Sequence, residues 1–98
     1  MARIELAPEI ADDFERILDH LAKWHIERPE ARIREIIESI DILSHSPLIG
    51  RPGRSGKREL VIGRDSHGYV ALYRYQTEID TVFVLAIRSQ REAGYARE

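Results

Sequence analysis

Basic residues crowd the end of the chain, directly after its most apolar run. Arg88, Arg91 and Tyr95 lie in the stretch AIRSQREAGY, residues 86–95, behind the apolar segment 82–87. Guanidinium groups are suited to phosphate, because they present several N–H donors in a fixed fork. The pattern therefore indicates either a solvated strand end or a site that contacts phosphates.

A second basic group lies in the glycine-rich segment PLIGRPGRSGK, residues 47–57, and just after it. Its members are Arg51, Arg54, Lys57 and Arg58. No acidic residue follows until Glu59. Such a run is often only solvated surface. It also has the charge expected of a surface that binds RNA, DNA or another target.

Arg74 is embedded in the segment YVALYRY, residues 69–75. An arginine among apolar strand residues is costly to bury unless it is paired. The structural expectation is therefore an ion pair with Glu59 or Glu78, and the functional alternative is contact with a ligand.

The turn around residue 78 sets the expected register of the last two strands. Folding back there pairs Arg74 near Val82, and Arg88 near Gly68–Tyr69, so one phosphate cannot easily contact both arginines. Strict alternation along the last strand also predicts one shared face. Its members are Val82, Val84, Ala86 and Arg88.

Other kinds of chemistry have little support in the sequence. There is no cysteine, and His20 and His25 are five residues apart on a predicted helix, which is the wrong spacing for a shared metal. Neither a nucleophile elbow nor a phosphate-binding or dinucleotide-binding glycine motif occurs. The carboxylates of the first predicted helix are spaced like a solvated face. We therefore expect neither a metal nor a cofactor.

Periodicity and punctuation divide the chain into elements. Apolar residues recur at helical spacing on both sides of Pro29, while Pro47 ends the second helix. The predictions are a strand over 3–6, helices over roughly 8–26 and 30–45, an irregular loop over 47–57, strands over 57–63, 69–75 and 81–88, and turns over 64–68 and 76–80. Together they predict one α+β domain over 1–98, in which an N-terminal strand precedes a helical hairpin packed on a mainly antiparallel sheet, in the order β-α-α-β-β-β.

Composition favours an ordinary globular chain. The 98 residues are 43% hydrophobic and 33% charged. No apolar run is long enough to span a membrane, and the N-terminus lacks the apolar core of a signal peptide, so we expect a cytoplasmic protein without a membrane partner. Residues 1–46 hold six Lys/Arg and eleven Asp/Glu, a balance of −5, whereas residues 47–98 hold nine and six, a balance of +3. The basic half makes an anionic partner plausible.

With these elements laid out, the chain resembles the RelE/ParE superfamily of toxins from type II toxin–antitoxin systems. The segments that carry the resemblance are LSHSPLIGRPG (43–53), KRELVIG (57–63), GYVALYRY (68–75) and VFVLAIRSQREAGY (82–95). The resemblance implies a RelE/ParE-like fold and a growth-inhibiting, plasmid-stabilising toxin, held inactive in a hetero-oligomer by a cognate antitoxin. RelE-like members cut messenger RNA on the ribosome without a metal, whereas ParE-like members poison DNA gyrase.

The resemblance also assigns residues. If the protein is a nuclease, Arg74 matches the strand arginine of RelE-like members and Tyr95 matches their C-terminal tyrosine, with Arg88 and Arg91 as further catalytic candidates. Ser89 falls where many relatives have a catalytic histidine or arginine, and serine supplies neither the pKa nor the charge. The GRP loop and the RELVIG segment look more ParE-like. We therefore expect an inhibitor of DNA gyrase; the alternatives are a ribosome-dependent mRNA endoribonuclease and a degenerate, non-toxic antitoxin-binding protein.

Overall fold

The computed structural model describes residues 1–63, 68–92 and 94–95, where two α-helices cover one face of a five-stranded sheet. The elements are β1 (Arg3–Leu6), α1 (Ile10–Lys23), α2 (Pro29–Ile40), β2 (Arg51–Pro52), β3 (Arg58–Ile62), β4 (Tyr69–Gln76) and β5 (Thr81–Ser89). The predicted α+β class is confirmed. The predicted turn over 64–68 falls largely on residues 64–67, which lie outside the described ranges.

β5 is an interior strand of the sheet, between β1 and β4, and the strand order is β1-β5-β4-β3-β2. β1 runs parallel to β5, and the other neighbouring strands are antiparallel, as the short connections predict. The two helices form the long crossover that a parallel pair requires. The turn between β4 and β5 is a 3₁₀ turn over Thr77–Ile79, followed by Asp80 in the left-handed region.

Both helices end earlier than the periodicity predicts. α1 stops at Lys23 because His25 has a φ of 55°, which no right-handed helix accepts. α2 starts with Pro29 at its first position and ends at Ile40, after which the chain tightens into a 3₁₀ turn over Asp41–Ser44. The Ser44 carbonyl then accepts the backbone N–H of Ala2 at 2.7 Å. Within the described ranges, neither helix is long and apolar enough to cross a membrane.

The glycine-rich segment is not wholly irregular, so that prediction was wrong at β2. Arg51 and Pro52 pair with Glu59 and Arg58 at the edge of the sheet. Proline is tolerated there because an edge strand need not use every N–H in the ladder. The intervening 3₁₀ turn over Arg54–Gly56 closes a hairpin.

A bulge in β5 overturns the predicted shared face of that strand. Leu72 pairs with Ala86 and Tyr73 with Val84, so the register shifts by one residue and Leu85 is the extra residue of a bulge in β5. Val82 and Val84 therefore face the helices together, as predicted. After the bulge the alternation is inverted, so Ile87 faces the helices, while Ala86 and Arg88 lie on the opposite face. The helix-side core consists mainly of Ile10, Ile17, Leu21, Ile36, Ile40, Leu43, Ile62, Tyr69, Ala71, Tyr73, Val82, Val84 and Ile87.

Candidate functional site on the outer face of the sheet

The face of the sheet turned away from the helices, called the outer face here, carries the groups with the most unusual environments. Register places Glu59, Leu72 and Ala86 in one row across β3, β4 and β5. The next row contains Val70 and Arg88. Leu72, Val70 and Ala86 are buried although they do not belong to the helix-side core.

Glu59 is the hub of this face. Its Oε1 accepts a hydrogen bond from Arg51 Nε at 3.0 Å, and its Oε2 accepts one from the Tyr95 hydroxyl. Arg88 Nη2 lies 4.0 Å from the same Oε2. The hydrogen bond from Tyr95, helped by Arg51 and Arg88 and opposed by burial, lowers the pKa of the Glu59 carboxyl. Glu59 is therefore a stable anion in the middle of the basic residues.

Arg88 is largely enclosed, with 16% of its side chain exposed. Its guanidinium carbon lies 5.1 Å from the centroid of the Tyr95 ring, and Nη1 donates to the carbonyls of Ser89 at 3.1 Å and Glu92 at 3.3 Å. Its Nε has no acceptor among the described residues. Nη1 of Arg88 is thus bound to carbonyls inside the protein, and Nη2 lies beside the Glu59 carboxylate.

Tyr95 is held as a neutral phenol. Burial, together with the hydrogen bond it donates to Glu59, raises the pKa of its hydroxyl despite the nearby charge of Arg88. Near neutral pH the hydroxyl is a donor committed to Glu59. It is not a base ready to take a proton.

Arg74 is exposed and lies in a different part of the sheet. Its Nη2 donates to the Ser55 carbonyl at 3.1 Å, and Glu59 pairs instead with Arg51 and Arg88. The expectation of an ion pair to Glu59 or Glu78 was therefore wrong within the described residues. Arg74 pairs with Phe83 and Arg88 with Val70, as the turn predicts to within a residue. Four residues along β4 separate these positions by ~13 Å, which places the two arginines at opposite ends.

The four basic residues predicted for target binding do not act alike. Arg51, Arg54 and Lys57 lie within the hairpin between β2 and β3. Arg51 and Arg54 are exposed, and Lys57 is half-buried. Arg58 instead donates from Nη1 to the carbonyls of Leu48 at 3.1 Å and Gly50 at 2.8 Å. Arg58 therefore holds the preceding loop against the sheet.

Arg91 is remote from Arg74 in the described structure. It is exposed just beyond β5 and lines a pocket beside α1, together with Arg16, Arg32 and Trp24. The four residues proposed for a nuclease are thus spread over the hairpin side, the Tyr95 cluster and this pocket. Ser89 uses its backbone N–H to reach Glu92 Oε2 at 2.8 Å.

Sequence reasoning missed the network that fixes the end of β5. Asp13, 1% exposed, accepts the Ile87 N–H at 3.0 Å and a bond from Arg16 Nη1 at 2.9 Å. Arg16 Nε also donates to Glu92 Oε1 at 2.8 Å. The view of the α1 carboxylates as a solvated face was therefore wrong for Asp13. A signal existed, because Asp13 falls on the helical stripe of buried residues that includes Ile10 and Ile17.

Comparison with known proteins identifies the family. The family model for the "ParE toxin of type II toxin-antitoxin system, parDE" matches residues 4–94. This chain belongs to the ParE toxin family. No curated protein sequence matches it.

Solved structures agree with this ParE fold. The chromosomal ParDE TA system from P. aeruginosa contains a chain with a TM-score of 0.73 and 22% identity, covering 91% of this chain and 96% of that one. A chain of the archaeal RelE-RelB complex from Pyrococcus horikoshii OT3 has a TM-score of 0.60 and 15% identity, and the match covers 94% of this chain and 98% of that one. A chain of the toxin-antitoxin complex RelBE2 from Mycobacterium tuberculosis has a TM-score of 0.54 and 20% identity, and the match covers 91% of this chain and 98% of that one. At these identities the likeness concerns the fold.

The geometry of this ParE chain limits what its outer face can do chemically. Metal-free RNA cleavage needs cations directed at one phosphate and a group able to move protons. Here an anion, Glu59, lies between Arg51 and Arg88, and the Tyr95 proton is bound to it. The cluster is arranged to hold its own charges together.

Proposed function

We propose that this protein is the growth-inhibiting toxin of a parDE-type toxin–antitoxin pair, and that it acts on DNA gyrase without cutting RNA. The observation that carries the proposal is Glu59, whose carboxylate lies within 4.0 Å of Arg88 Nη2 and accepts bonds from Arg51 and Tyr95. A scissile phosphate brought to Arg88 would meet this carboxylate, and like charges repel.

The pKa values of the two nearby titratable groups also disfavour RNA cleavage. General acid–base catalysis works best when the group has a pKa near the working pH. The pKa of Tyr95 is raised and that of Glu59 is lowered, so both move away from neutrality. Ser89 provides no titrating group at the neighbouring position. A toxin with this outer face is better suited to binding a protein target than to RNA cleavage.

We also infer a cognate antitoxin partner, as in the ParDE and RelE-RelB assemblies that share the fold. Three large apolar side chains on the helix layer are well exposed: Trp24 at 64%, Ile37 at 42% and Ile42 at 46%. Exposed apolar groups of this kind are typical of surfaces that a partner covers. An antitoxin segment that folds on binding would bury them.

The proposal is tested by inducing the toxin in a bacterial host with and without the neighbouring antitoxin gene. Induction alone should arrest growth and trigger a DNA-damage response while cellular transcripts stay intact. Co-expression of the antitoxin should restore growth. Transcript cleavage during the arrest would reject the proposal in favour of a RelE-like nuclease, and normal growth would reject it in favour of a non-toxic binding protein.

A further inference from the structure

The hairpin between β2 and β3, residues 51–58, is a basic segment at the edge of the sheet. It contains four basic residues and no acidic one. Residues 51–56 are all exposed. A surface of this kind attracts anions, and a partner with several negative charges spaced along its length matches it best.

The hairpin tip gathers three cations around one tight turn. The backbone N–H of Gly53 donates to the Lys57 carbonyl at 2.8 Å, and that of Lys57 donates to the Arg54 carbonyl at 3.0 Å. Arg74 reaches across from β4 and donates to the Ser55 carbonyl at 3.1 Å. Arg54, Lys57 and Arg74 therefore flank the same short segment of backbone.

Little internal charge neutralises this tip. In the ranges that the structure describes, no carboxylate lies within 4.0 Å of a cationic nitrogen of Arg54, Lys57 or Arg74. Arg51 is the one hairpin cation paired to a described carboxylate, Glu59. The tip thus presents three charges that an external anion can bind without first breaking an internal ion pair.

We propose that the hairpin tip, Arg54–Lys57 together with Arg74, binds the phosphate backbone of duplex DNA. Protein interfaces depend on buried aromatic or apolar anchors, and single-stranded nucleic acids are bound by aromatic stacking. The tip has neither, since its remaining residues are Ser55 and Gly56. Cations beside small polar residues suffice for a duplex backbone.

The choice of DNA over duplex RNA rests on the proposed function, because a toxin bound to gyrase lies beside the DNA that gyrase holds. The direct test uses the purified full chain and a short fluorescent DNA duplex, without gyrase. Affinity is measured by anisotropy over a series of salt concentrations. The double variant Arg54→Gln/Lys57→Gln is compared with Lys23→Gln/Arg34→Gln, which removes the same charge from exposed positions on α1 and α2.

The slope of log affinity against log salt should fall by about 1 for each tip cation removed and should stay unchanged in the control. Circular dichroism verifies that both variants are folded. Undetectable binding at low salt, equal loss in both variants, or a preference for single-stranded RNA or polyglutamate would overturn the inference. Gyrase inhibition by the same proteins is measured separately, so a toxin that inhibits gyrase without binding DNA overturns only this inference.

Discussion

At the scale of single residues, the most deeply buried charge of the described chain belongs to Asp13. β1 ends at Leu6, opposite Val84, so within the described ranges the later part of β5 has no strand on that side. Asp13 takes over the missing acceptor role by binding the Ile87 N–H at 3.0 Å, and Arg16 compensates its charge. A buried carboxylate is tolerated here because both of its oxygens are satisfied.

Replacing Asp13 should therefore be costly. Asp13→Ala leaves the Ile87 N–H without its acceptor and removes one partner of Arg16, so we expect a loss of about 3–5 kcal/mol in the free energy of unfolding. Asp12→Ala, at the exposed neighbouring position in the same helical turn, should cost less than about 1 kcal/mol. Urea denaturation measures both. Similar losses for the two variants would show that the Asp13 network does not stabilise the fold.

Glu59 gives the outer face a defined dependence on acid. Its pKa is lowered in the folded state, so its contribution to stability is present above the unfolded pKa of about 4.3 and is lost as the pH falls below it. The wild-type free energy of unfolding should fall more steeply between about pH 5 and pH 3 than that of Glu59→Gln. Tyr95→Phe removes the largest cause of the shift and should give an intermediate slope. Identical slopes for all three proteins would contradict the described cluster.

At the scale of elements, the loop before β2 is fastened to the sheet from both sides. The Gly50 N–H donates to the Tyr73 hydroxyl at 2.8 Å, and Arg58 Nη1 donates to the Gly50 carbonyl at 2.8 Å. Tyr73 is fully buried. The basic hairpin thus starts from a fixed point, which sets where its tip stands relative to Arg74.

Gly50→Ala should loosen this attachment. An added Cβ would lie 2.6 Å from both Cε1 and the hydroxyl oxygen of Tyr73, and 2.8 Å from the Glu59 carbonyl. Such crowding should cost about 1–3 kcal/mol. Gly53→Ala is the matched control, because its nearest contact would be an ordinary 3.5 Å and its φ of −132° suits alanine. Thermal unfolding should show a clear decrease in Tm for the first variant only, and equal Tm values would count against the packing described.

Local patterns predicted the elements well and failed where long-range contacts decide. Alternation and turn residues suffice to place the strands, the helix hairpin and the basic segment. They do not mark Leu85 as the bulge that reverses Arg88, because the preceding segment VFVLAI, residues 82–87, is apolar throughout. They also do not predict that Glu59 is the centre of a cluster, because Tyr95, which donates a hydrogen bond to it, lies 36 residues away in the sequence. The candidate site was therefore predictable in composition but not in its internal pairing.

At the scale of the whole molecule, the fold does not by itself decide the activity. Both a ParDE chain and a RelE-RelB chain share it, with TM-scores of 0.73 and 0.60. The outer face is the basis of our proposal for the first activity, because Glu59 pairs with Arg88 and Tyr95, two of the four groups proposed for RNA cleavage. Charge is also divided unevenly along the sequence, with a balance of −5 over residues 1–46 and +3 over residues 47–98. The basic residues of the second half include the hairpin between β2 and β3, and such a segment favours encounter with an anionic partner.

The most direct measurement is supercoiling by purified DNA gyrase on a relaxed plasmid, titrated with the purified full chain. We expect the toxin to stall gyrase on the plasmid, so that supercoiling stops and cleaved plasmid accumulates only when gyrase is present. Unchanged supercoiling at micromolar toxin would contradict it.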